Sequence, residues 1–122
     1  MLFTLRTPEQ EQFYQDQRKN VPENFCFLCE RDLLRKEFKH WYICENRYPY
    51  TKISDKHDLL ACKRHISNID EMTREELQEL DSIIFQVARR QIGNYDQVTW
   101  NIPDRQSNRF HFHLHLIKLK EK

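Results

Sequence analysis

The chain has 122 residues, 39% of them hydrophobic and 32% charged, with a formal net charge of +1. That is the size of one domain around one core, and the near-neutral balance gives no global electrostatic case for nucleic acid or a membrane surface. No apolar run approaches the roughly 20 residues of a membrane span, and Met1 to Leu5 is too short for a signal peptide's apolar region, so an intracellular, cytoplasmic chain is expected. In that compartment the four cysteines are thiols or metal ligands rather than disulfides. The only glycine is Gly93, which excludes a glycine-rich phosphate loop.

Thr7-Pro8-Glu9 opens a helix: a cap residue, a proline at the first turn, then acid. The helix is predicted to run to about Arg18 or Lys19, with Phe13 and Tyr14 as a small apolar face, and Val21-Pro22 breaks it. Cys26-Phe27-Leu28-Cys29 follows. In an intracellular chain this spacing suits half of a tetrahedral zinc site, with two ligands to come from elsewhere. A thioredoxin-like redox pair is the alternative, but the strand-to-helix setting that motif needs is missing.

Phe38 to Asn46, with Trp41, Tyr42, Ile43 and Cys44, reads as a strand that Asn46-Arg47-Tyr48-Pro49-Tyr50 ends. A turn over Lys52 to Lys56 leads to a second strand, His57 to Cys62, and then to Lys63-Arg64-His65. Cys44 and Cys62 read as small buried hydrophobes. Thr73-Arg74-Glu75-Glu76 is a capping box. Leu77, Leu80, Ile84, Val87 and Ala88 recur at helical spacing, and Gly93 supplies a stop, giving a helix over roughly Thr73 to Ile92. Gln97 to Ile102 reads as a third strand and Pro103 to Arg109 as a polar loop.

Phe110-His111-Phe112-His113-Leu114-His115-Leu116-Ile117 alternates apolar residues with histidines. A period of two is a strand signature. Phe110, Phe112, Leu114 and Leu116 would face a core, and the three histidines would share the other face. Neighbouring imidazoles then start roughly 6.7 Å apart. Two can converge on one metal but three cannot without distorting the strand, so a division of labour is expected. The bland alternative is a metal-chelating or solvated His-rich strand.

His-x-His-x-His followed by two apolar residues resembles the signature of the histidine-triad (HIT) nucleotide hydrolases and transferases. The Asn-x-x-Pro turn, the His-headed strand and Lys63-Arg64-His65 resemble the N-terminal half of the same fold. The resemblance covers about Phe25 to Lys118. It implies a single α+β domain over 1–122: an antiparallel sheet of about five strands, one long helix and a zinc knuckle, with residues 1–22 as an N-terminal helical extension and 25–118 as the core. Two departures stand out. Cys62 occupies a position that is commonly proline. The loop before the triad has no glycine, and its Gln106-Ser107 sits one residue further from His111 than usual.

The zinc-containing relatives, including the galactose-1-phosphate uridylyltransferase branch, imply the ligand set Cys26, Cys29, His65 and His111. Such a closed set makes Zn²⁺ structural. His40 is the spare candidate. The resemblance makes His113 the nucleophile toward a nucleoside α-phosphate, with His115 beside the phosphate. It implies substrate contacts from Asn46, His57, Asn101, Gln106 and Ser107. Three of these have plain alternatives: Asn46 as a turn cap, His57 as a satisfied core histidine, and Asn101 as a turn residue. A histidine at 115, where the transferase branch has glutamine, favours hydrolysis of a phosphoanhydride or phosphoramidate. A transferase or phosphorylase, and a zinc-stabilised nucleotide-binding module without turnover, are the competing functions. The implied partner is a nucleotide or dinucleotide, with no membrane and no nucleic-acid footprint, and relatives are often homodimers.

Overall fold

The computed structural model of the protein describes residues 5–19, 26–102 and 111–121, apart from the Arg18 side chain. Helix α1 spans Pro8–Lys19, a single turn α2 spans Phe27–Glu30, and α3 spans Arg74–Ala88. The strands are β1 (Leu34–Glu37), β2 (Trp41–Glu45), β3 (Ser54–Cys62), β4 (Gln97–Thr99) and β5 (His113–Leu119). They form one antiparallel sheet in the order β1-β2-β3-β5-β4.

The sheet's two faces follow from the period of two. Trp41, Ile43, Leu60, Cys62, Leu114 and Leu116 point to one side and bury against Leu80, Ile83 and Val87 of α3. Tyr42, Cys44, Leu59 and Ala61 point to the other and pack with Leu28 of α2. A strand covered on both sides carries no polar alternation, and Trp41 to Cys44 are all buried. The Trp41 indole N–H bonds the Glu76 carbonyl at 2.8 Å, which ties β2 to the start of α3.

Helix α3 begins as its sequence requires. Thr73 Oγ1 accepts from the Glu76 N–H and the Glu76 side chain accepts from the Thr73 N–H, a reciprocal cap. The buried face is Glu76, Leu80, Ile83 and Val87, a rotation away from the expected stripe. Leu77 is 46% exposed, Ile84 is half-buried and Ala88 is exposed. The helix stops at Ala88, where the chain turns through Arg90 at φ 59°. Gly93 is therefore not its terminator. Its φ of +61° folds Tyr95 back so closely that an added Cβ would lie 2.4 Å from the ring. Tyr95 then donates its hydroxyl to buried Asp58, which also accepts from Arg35 Nε at 2.8 Å.

Several boundaries differ from the expectation. The strand expected over 38–46 is shorter, because Phe38 N–H closes a turn onto the Trp41 carbonyl at 2.8 Å. The third strand keeps only Gln97–Thr99. Strand β1 was not expected, since its four residues are all exposed and show no apolar alternation. Among the described residues, no helix is long and apolar enough to cross a membrane.

Candidate functional site

Two histidine clusters lie along one line of the fold. At the first, Cys26 Sγ approaches His111 Nδ1 at 3.4 Å, and Cys29 Sγ approaches His65 Nδ1 at 3.2 Å and His111 Nδ1 at 3.4 Å. The four ligand atoms all fall within 4.8 Å of one another. Sulfur and nitrogen bound to one tetrahedral zinc stand roughly 3.5 Å apart, from bond lengths of about 2.3 and 2.0 Å. The donor set and its spacing thus fit one tetrahedral cation. Burial and the neighbouring Cys26 push the Cys29 thiol up to about 11, a pair that a bound cation would deprotonate. Cys44 and Cys62, raised to about 12 chiefly by burial, stand outside this set as inert buried thiols. His40 stands outside it too.

His111 precedes β5 rather than lying in it. Phe112 bonds sideways, its N–H to the Ile66 carbonyl at 2.7 Å and its carbonyl to the Cys62 N–H at 3.4 Å. This swings His111 toward the cysteines. His111 Nε2 lies 2.5 Å from the Cys62 carbonyl. A carbonyl only accepts, so Nε2 carries the proton and Nδ1 presents its lone pair to the thiols.

His113 has the opposite tautomer. Its Nδ1 lies 2.7 Å from the His111 carbonyl, so Nδ1 carries the proton and Nε2 holds the lone pair. Burial holds His113 below the ordinary histidine range. It is a neutral imidazole with an unprotonated Nε2, the form a nucleophile needs.

His115 and His57 form a directed pair. Tyr50 N–H donates to His57 Nδ1 at 2.9 Å, which leaves the His57 proton on Nε2. That nitrogen donates to His115 Nδ1 at 2.7 Å, so His115 carries its own proton on Nε2. The starting donor is a backbone amide, which cannot accept, so the chain runs one way. Burial above all pushes His57 down to about 4 and His115 down to about 3. The result is a neutral His115 whose Nε2–H is a hydrogen-bond donor. The Asn101 amide nitrogen lies 3.2 Å from that atom and 3.1 Å from the Tyr50 hydroxyl. Turning the amide by half a revolution puts its oxygen there instead, the arrangement an Nε2–H donor requires.

The structure brings His57, Asn101, His113 and His115 together. The His113 and His115 ring centroids are 5.0 Å apart, and those of His57 and His115 are 4.9 Å apart. Asn46 is adjacent, but its amide nitrogen is 3.4 and 3.3 Å from the two nitrogens of His57, aimed at neither in particular. Its Oδ1 accepts from the Tyr48 N–H at 2.9 Å, so it also caps the turn. Phe110, Gln106 and Ser107 lie outside the described residues. Sequence reasoning missed Tyr50, whose ring stacks on His115 at 5.2 Å and 22°; an aromatic after the turn proline was the available signal. Glu76, read from the sequence only as the acid of the capping box, also takes Arg64 Nη2 at 2.9 Å and the Cys62 thiol at 3.3 Å, anchoring residues on both sides of Lys63.

No protein-family model matches the sequence, and no curated protein matches it. Solved structures do match. A HIT family hydrolase from Legionella pneumophila Philadelphia 1 superposes with a TM-score of 0.58 at 19% identity, covering 80% of this chain and 95% of that one. A histidine triad protein from Clostridium difficile superposes with a TM-score of 0.56 at 17% identity, covering 80% of this chain and 91% of that one. The chain has the histidine-triad fold: among the described residues, a five-stranded antiparallel sheet, one long helix across it, and a Cys26/Cys29/His65/His111 cluster able to hold a metal ion.

Proposed function

We propose that the protein is a HIT-type nucleotide hydrolase of the cytoplasm that cleaves a phosphoanhydride or phosphoramidate at a nucleoside α-phosphate. The observation that carries this reading is the pairing of an unprotonated His113 Nε2 with a His115 Nε2–H donor on one face of β5. In the first step His113 Nε2 attacks the α-phosphorus. A P–N bond forms, the bond to the leaving group breaks, and the leaving group departs with the bonding electron pair, accepting a hydrogen bond from the neutral His115 Nε2–H and its proton from solvent. In the second step water attacks the same phosphorus. The P–N bond breaks with its electron pair returning to His113 Nε2, the proton lost by the attacking water passes to solvent, and a nucleoside monophosphate leaves. The fold likeness to a HIT family hydrolase supports the reaction class.

Cys26, Cys29, His65 and His111 would hold Zn²⁺. Four protein ligands complete a tetrahedron, so the ion supplies folding stability. It ties the α2 knuckle to the residue that leads into β5. His111 also supplies the carbonyl that sets the His113 tautomer, so the ion would stiffen the nucleophile's own support.

The test is intact-protein mass after mixing metal-loaded protein with adenosine and guanosine phosphoramidates and dinucleoside polyphosphates, followed by a base quench. A nucleotidyl adduct that survives base and falls off in acid is expected, as for a phosphorus–nitrogen bond. Rapid turnover with no such adduct in wild type, and undiminished turnover in His113→Ala, would overturn the mechanism.

A further inference from the structure

The N-terminal segment is built into the histidine face rather than lying beside it. The Thr7 N–H bonds Thr51 Oγ1 at 2.7 Å, and the Lys52 N–H bonds the Leu5 carbonyl at 2.8 Å. These two bonds pin residues 5–7 to the turn that carries Tyr50. Arg6 lies between them. Its guanidinium sits 4.0 Å from the Tyr14 ring centroid and 5.4 Å from that of Tyr50. Its Nε donates to the Tyr48 carbonyl at 2.9 Å, and Nη1 meets Glu11 at 3.3 Å. Among the described residues, the Tyr50 ring also meets His57, at 4.4 Å, and His115, at 5.2 Å. A planar cation is therefore held beside an aromatic ring that also meets His115, the proposed donor to the phosphate, and His57, which sets the His115 tautomer. Stacking and a backbone acceptor fix its orientation before any ligand arrives, which is the arrangement in which a guanidinium binds phosphate well.

We propose that Arg6 is a substrate-binding residue, whose guanidinium takes the phosphate next to the α-phosphate. The substrates favoured are then phosphoanhydrides rather than compounds with an uncharged leaving group. This inference rests on the nucleotide reading above. Two further observations fit it. The Arg6 side chain is only 15% exposed and that of its partner Glu11 24%. After the larger effect of burial, its positive charge helps hold His57 neutral, and it adds the smallest of the contributions that lower His115, behind burial, His113 and His57.

The experiment is calorimetric titration of metal-loaded wild type, Arg6→Gln, Arg6→Lys and Glu11→Gln with adenosine and guanosine 5′-monophosphates and 5′-diphosphates. Wild type is expected to prefer the diphosphate. Arg6→Gln should lose roughly 10- to 100-fold in diphosphate affinity and less than about threefold for the monophosphate, the range of one charge-assisted hydrogen-bond pair. Arg6→Lys should recover part of the preference, since it keeps the charge but not the planar fork. Glu11→Gln should keep the preference, whereas a purely structural Arg6–Glu11 strut would make it behave like Arg6→Gln. Metal content and thermal midpoint are read for every variant. If wild type binds mono- and diphosphates and Arg6→Gln weakens both equally or neither, the Arg6 inference is overturned and the nucleotide reading stands. If wild type binds no nucleotide, both are overturned.

Discussion

His111 and His113 sit two residues apart, enter the same strand, and have opposite tautomers. His111 gives its Nε2 proton to the Cys62 carbonyl and turns Nδ1 to two thiols. His113 gives its Nδ1 proton to the His111 carbonyl and keeps Nε2 for the other side. The residue type is the same, and so is the local sequence pattern. The difference lies in which backbone carbonyl each ring meets. One imidazole is disposed to hold a metal ion and the other to act as the proposed nucleophile, because a carbonyl is an acceptor only and chooses the protonated nitrogen. His115 makes a third case: its tautomer is set through His57 by the Tyr50 amide. Three histidines at alternate positions therefore differ in tautomer or in what fixes it, through four hydrogen bonds.

The sharpest way to break this comparison is His113→Ala. It should leave a folded, metal-loaded protein that binds nucleotide yet turns over more than about 10⁴-fold slower, the scale seen when a nucleophile is removed. Steady-state rates with metal content measured alongside would check it. If His111→Ala gives the same folded, metal-loaded but inactive protein, the two histidines do not differ in role.

Cys26→Ser should fail in the other way. The metal, expected at roughly one zinc per chain, should be lost or weakly held, and the thermal midpoint should drop by about 10 °C or more, because a structural zinc contributes folding free energy directly. Metal analysis and a thermal melt are the readouts. A protein that binds no metal and instead links Cys26 to Cys29 in a disulfide would contradict the assignment.

His57→Ala sharpens the comparison further. It removes the group that fixes the His115 tautomer without removing His115. Loss of such a supporting partner is expected to slow turnover by roughly 10- to 100-fold, less than the roughly 10²- to 10⁴-fold expected for His115→Ala. A His57→Ala enzyme as slow as His115→Ala would place His57 on the substrate itself.

The smallest effect is on stability against pH. His57 and His115 sit at about 4 and about 3 when folded, below their ordinary 6.5. On acidification the unfolded chain takes up protons first. Their contribution to stability is therefore fully present above about pH 6.5 and is lost as the pH falls from there toward 4. A series of thermal melts across that window should show a falling midpoint, and His57→Ala should flatten the fall. A midpoint that rises on acidification would contradict the buried neutral pair.

Much of this molecule is legible from local pattern. The alternation from Phe112 to Leu116 separates the α3 face from the histidine face, because side chains alternate along any strand. Thr73-x-x-Glu76 marks the start of α3, because cap and helix are neighbours in sequence. Thr7-Pro8 marks α1 in the same way. Cys26-x-x-Cys29 announces half of a metal site. The other half was suggested only by family resemblance, and nothing in the spacing itself could give it.

What only the tertiary structure decided is whatever depends on a partner far along the chain. His111 meets Cys26 across 85 positions, and its tautomer depends on Cys62, 49 positions away. Arg6 reaches the Tyr48 carbonyl across 42 positions, and nothing around Leu5-Arg6-Thr7 hints that its charge lies near the histidines. Strand β1 exists because it pairs with β2, not because its exposed residues prefer that form. Periodicity tells which face a side chain takes, since that is a property of the local backbone. Which acceptor or cation waits on that face is set by how the sheet, the knuckle and the N-terminal segment close upon one another, and so are the protonation and role of each histidine.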